Sequence, residues 1–183
     1  MKIYIGCALN GSPESFKQTI EEIKNSMSSS HDDWEILKFV GLGSATPGQV
    51  YRTDIGNVES CDLFVAICIY PSIGLGMEIQ AAINAKKPIL LIGPARRPIT
   101  RMITDLCYLR PDQTMIDWIT DLHQMEASIM HALNKFGIPF KDVYQDNPDK
   151  FEGPKSEPTA TCSMSGESMM ASSSTRRFLS GMT

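Results

Sequence analysis

A doubly wound α/β sheet of about five parallel strands flanked by helices is the fold this sequence predicts. Two observations carry the prediction. The runs Leu63-Phe64-Val65-Ala66-Ile67-Cys68-Ile69 and Pro88-Ile89-Leu90-Leu91-Ile92 are continuously apolar and too short for core helices. That suits strands buried on both faces. Between them Ile79, Ala82 and Ile83 recur at helical spacing. Strand, helix and strand in that order form a right-handed crossover, and repeated crossovers build a parallel sheet.

The first strand is expected over residues 2–8, and the loop Leu9-Asn10-Gly11 follows it. Ser12, with Pro13 at the first helical position and Glu14 next, reads as a helix start. That helix carries Phe16, Ile20, Ile23 and Met27 on one face. Further strands are expected over 34–40, 62–69, 88–92 and 114–118. Helices are expected over 51–61, 73–85, 98–107 and 119–136. Gly41-Leu42-Gly43 reads as an ordinary loop.

Residues 1–145 form the expected catalytic domain. From Asp146 the composition shifts to Ser, Met, Gly and Pro, with almost no β-branched or aromatic residues after residue 153. Such a segment cannot bury enough apolar area to offset its chain entropy, so 146–183 is expected to be a disordered tail. Its run Ser172-Ser173-Ser174-Thr175-Arg176-Arg177-Phe178-Leu179 reads as a solvated linker end or as a phosphorylation or docking site.

The chain has 183 residues, 42% hydrophobic and 21% charged, with a net charge of −4. That charge gives no reason to expect nucleic acid or an anionic membrane as partner. No apolar run approaches the ~20 residues of a spanning helix, and Met1-Lys2-Ile3-Tyr4-Ile5 reads as a strand rather than a signal peptide. The five cysteines (Cys7, Cys61, Cys68, Cys107 and Cys162) lack paired spacing. Neither they nor His31, His123 and His131 show zinc-ligand spacing. A reducing cytoplasmic setting, no metal and no cofactor are expected.

The octapeptide Pro71-Ser72-Ile73-Gly74-Leu75-Gly76-Met77-Glu78 joins the third strand to its helix. It therefore lies at the carboxyl end of the sheet, where open α/β folds bind ligands. Ser72 suits a helix cap, and Gly74 and Gly76 allow close approach to the backbone. Glu78 falls near the first turn of the helix, where the dipole favours an ionised carboxylate. It reads either as a dipole partner or as a nucleophile. Asp54, placed at the start of the helix 51–61, reads either as a cap or as a second acid at the same sheet edge. Two acids in one cleft suit glycosyl chemistry, which in its retaining form needs carboxyls about 5 Å apart.

With these residues the chain resembles the nucleoside 2-deoxyribosyltransferases and the related 2′-deoxynucleoside 5′-monophosphate N-hydrolases. The carrying residues are Ile3-Tyr4-Ile5-Gly6, Asp54, Cys61-Asp62-Leu63-Phe64-Val65-Ala66, Pro71 to Glu78, and Lys87-Pro88-Ile89-Leu90. The resemblance spans about residues 2–136 and implies a flavodoxin-like sheet. It also implies that Glu78 attacks C1′ and holds the sugar as an ester, that Asp54 orients sugar or base and protonates the departing base, and that Tyr4 hydrogen-bonds Glu78. Ser72 and the backbone of Gly74 and Gly76 would face the 5′ end of the sugar. Thr100, in Pro98-Ile99-Thr100-Arg101-Met102, would reach the 5′ pocket of a neighbouring subunit, which implies a homodimer or larger homo-oligomer.

The monophosphate hydrolases typically carry Gly-Ser-Ile-Arg where this chain has Cys7-Ala8-Leu9-Asn10. Asn10 then occupies the place of a phosphate-gripping arginine, and losing that charge-assisted contact weakens phosphate binding. Arg96, Arg97 or Arg101 could supply it from another side. Transfer of deoxyribose from a nucleoside to a second nucleobase is the leading expectation. Hydrolysis of nucleoside 5′-monophosphates and a non-catalytic nucleotide sensor are the alternatives. A flavodoxin-like electron carrier lacks a phosphate loop after the first strand.

Overall fold

The structure is a computed structural model that describes residues 1–37 and 45–140. The expected strand segment 38–40, the loop Gly41-Leu42-Gly43, Cys162 and the tail 146–183 lie outside the described residues. Five strands form one all-parallel sheet in the order β2-β1-β3-β4-β5. They are β1 (Lys2–Cys7), β2 (Glu35–Leu37), β3 (Leu63–Ile67), β4 (Ile89–Pro94) and β5 (Thr114–Ile119). The strand order reverses beside β1, so the carboxyl ends of β1 and β3 flank the topological switch point.

Strand periodicity divides the core into two layers. Ile3, Ile5, Leu63, Val65, Ile67, Leu90 and Ile92 face one side, where they pack with residues of α1 (Glu14–Ser30) and α6 (Met125–Phe136). Tyr4, Phe64, Ala66, Ile89 and Leu91 face the other, under α2 (Pro47–Ser60) and α3 (Ile73–Asn84). β3 is buried at every position, as its unbroken apolar run requires.

Four helix boundaries differ from the sequence expectation, each for a local reason. Pro13, in extended backbone, is itself the residue before α1, and that helix starts at Glu14. The Ser12 hydroxyl turns back to donate to the Ala8 carbonyl at 2.7 Å rather than capping forward. α2 begins at Pro47, earlier than residue 51, because Thr46 and Gln49 form a reciprocal capping box. The expected helix 98–107 is two single turns, α4 (Arg101–Thr104) and α5 (Leu106–Leu109). The Leu106 and Arg110 carbonyls there accept from the Thr114 hydroxyl at 2.8 Å. β5 runs on to Ile119, so the last helix starts late, after a 3₁₀ turn over Leu122–Gln124. Gly137, at φ 64°, closes α6 in the left-handed conformation.

The capping box fixes the start of the helix that carries Asp54. Thr46→Ala removes the Oγ1 acceptor of the Gln49 amide and should destabilise the protein by about 1 kcal/mol. Urea unfolding followed by circular dichroism measures this.

Candidate active site

Glu78 and Asp54 line one cleft of about 350 Å³ between α2 and α3, together with Ala45, Pro47, Val50, Tyr51, Ile55, Gly74 and Met77. Asp54 lies about two turns into α2, so the helix-cap reading of this residue is excluded. Glu78 lies in the second turn of α3, beyond the reach of most of the dipole. Ser72 does cap α3, its hydroxyl accepting from the Leu75 amide at 3.2 Å.

Burial dominates the electrostatics of the pair. Glu78 Oε2 and Asp54 Oδ1 are both buried without a hydrogen-bond partner. Desolvation, followed by the charge of Asp54, pushes the Glu78 carboxyl from an ordinary 4.5 up to about 8. The expectation that the helix dipole keeps Glu78 ionised is therefore corrected, because the lost hydration outweighs a weak dipole. Asp54 is also raised by burial, with the Tyr4 hydroxyl acting to lower it.

Tyr4 lies within β1, fully buried and stacked on Phe64 with ring centroids 5.6 Å apart. Both acids act on its hydroxyl, which in turn lowers the pKa of Asp54, an interaction the resemblance had assigned to Glu78. Burial, then Glu78 and Asp54, pushes the phenol far above its usual pKa, so Tyr4 is a neutral donor.

The other expected residues do not share this cleft. Ser72, Gly76 and Thr100 line a second cavity of about 450 Å³ on the far side of the first turn of α3. Arg97 also lines it, with its guanidinium over the Tyr70 ring and hydrogen-bonded to the Ile69 carbonyl. Gly74 sits with the acids. Asn10 is exposed on a turn and lines neither cavity. Sequence reasoning missed Tyr51 and Met77, about half exposed at 54% and 49%, which flank the acids. The available signal was spacing: Tyr51 stands three residues before Asp54 on one helix face. Among the described residues no group of three or more His, Cys, Asp or Glu side chains is arranged to hold a metal ion. No described helix is long and apolar enough to cross a membrane.

No family model matches the chain. A protein of Thermofilum pendens assigned as 2′-deoxynucleoside 5′-phosphate N-hydrolase 1 is 29% identical over 103 residues, which are 53% of this chain and 71% of that one. The chain is thus similar in sequence to a 2′-deoxynucleoside 5′-phosphate N-hydrolase, in line with the resemblance its motifs carry. Two of the solved structures similar to the chain share its fold. The Clostridium botulinum CMP N-glycosidase matches with a TM-score of 0.53 and 18% identity, over 73% of this chain and 99% of that one. The 2-deoxyribosyltransferase of Leishmania mexicana matches with a TM-score of 0.51 and 15% identity, over 73% and 97%.

The raised pKa of Glu78 makes stability depend on pH. The folded state keeps its proton up to about 8, whereas the unfolded chain releases it near 4.5, so stability falls as pH rises between these values. Glu78→Gln removes that dependence. The melting temperature of the variant, relative to the parent, is expected to climb from pH 4.5 to 8, read by differential scanning fluorimetry in matched buffers.

Proposed function

We propose that the protein cleaves the N-glycosidic bond of 2′-deoxyribonucleosides and transfers the deoxyribosyl group to another nucleobase. The observation that carries this reading is a pair of carboxyls lining one cleft, each with one buried oxygen that has no hydrogen-bond partner. One proton shared by Glu78 and Asp54 serves both chemical roles. With the proton on Asp54, the Glu78 carboxylate attacks C1′, and the C1′–N bond breaks with its electron pair going to the base. Asp54 protonates that nitrogen as it leaves. An acceptor base then attacks C1′ of the glutamyl ester, gives its proton to Asp54 and frees Glu78. Tyr4 donates toward Asp54, and Ser72 fixes the first turn of α3.

A second reading, hydrolysis of nucleoside 5′-monophosphates with water as acceptor, draws on the name of the Thermofilum relative. Ala8 and Asn10 count against it, since neither supplies a cation for phosphate. Arg97 beside Ser72 and Thr100 counts for it. Thr100 lies across α3 from the acids, so its expected 5′ role needs a second copy of the chain. A homo-oligomer is part of the proposal.

The test incubates the protein with a deoxynucleoside, with or without a 5′-phosphate, and a second free base. Chromatography is expected to show a new nucleoside. Free base without exchange selects hydrolysis, and no product from any donor overturns both readings. Glu78→Ala should lower kcat/KM on the order of 10³-fold or more, and Asp54→Asn by about 10²–10⁴-fold.

A further inference from the structure

Gly6 occupies an interior position of a central strand, where a glycine costs about 1 kcal/mol relative to a residue with a side chain. It carries no positive φ, so backbone conformation does not demand glycine there. What lies above it does. A Cβ built on Gly6 would collide with Glu78 Oε2 and press on Leu75 Cδ1 and Phe64 Cε2, each at 3.1 Å. Leu75 and Glu78 are three residues apart on α3, so one face of the helix lays both over this point.

The sheet surface has a step at the same place. Tyr4 pairs in register with Phe64, and two residues on Gly6 pairs with Ala66, all on one face. A floor of two aromatic rings thus drops to a floor of a glycine and an alanine. Glu78 Oε2 rests in that drop, buried and unpartnered.

We propose that Gly6 is the positioning residue for Glu78: its missing side chain is the seat that receives one carboxyl oxygen and turns the other into the cleft. The proposal rests on the reading of Glu78 as nucleophile. An alanine at position 6 lifts the carboxyl out of its desolvated seat, toward water and away from the line of attack. Misplacement of about 1 Å is enough to lower a rate on the order of 10²-fold.

A double-mutant cycle tests it. Gly6→Ala is expected to lower the melting temperature in the parent, and Glu78→Ala to recover at least half of that loss when combined with it. In the nucleoside assay Gly6→Ala should lose kcat on the order of 10²-fold with KM little changed. The acid limb of its pH–kcat profile should move down toward the ordinary carboxylate range. Equal destabilisation in both Glu78 backgrounds, or failure of both Gly6→Ala chains to fold, overturns the proposal. So does parental kcat with an unmoved acid limb. If the parent turns over no nucleoside, the proposed function fails, and the thermal cycle still decides whether Gly6 seats Glu78.

Discussion

Desolvation of two carboxyls is the constraint around which the rest of the site is arranged. An isolated acid taken from water without partners becomes neutral or is expelled. Here α2 and α3 each deliver one acid to the same side of β1 and hold an oxygen of each away from solvent. That arrangement stores a proton in the cleft. It also means that the sheet below must supply neither charge nor clash, and Tyr4, Gly6, Phe64 and Ala66 meet the requirement.

The sheet was legible because buried parallel strands write themselves as unbroken apolar runs. Leu63 to Ile67 and Ile89 to Ile92 could be read directly. Helix starts were less legible where a proline serves two grammars. Pro13 precedes its helix while Pro47 opens one, and only the reciprocal bonds of Thr46 and Gln49 tell them apart. The region 98–107 is two single turns that meet at Asp105, a break that local spacing did not announce.

For the site, local spacing was enough to bring Asp54 and Glu78 to one sheet edge, and the structure gives them one cleft. It was not enough to fix their environment. Dipole reasoning takes account of a residue's own helix, whereas the ionisation of Glu78 is decided by β1, β3 and α2. The influence of Asp54 on Tyr4 went unread for the same reason, since it depends on the packing of α2 over the strand. Ser72, Gly76 and Thr100 gather on the other side of α3, a division that no linear spacing encodes.

The step between Tyr4–Phe64 and Gly6–Ala66 also acts as a ruler. Its depth is one Cβ, and the acid above it must be long enough to reach the lower floor. A shorter aspartate would hang above it, and a raised floor would repel the glutamate. Positions 6 and 78 are therefore not free to vary separately, although one lies in the first strand and the other in the third helix. For a designer moving this site to another sheet, the hollow in the strand has to be transplanted with the acid.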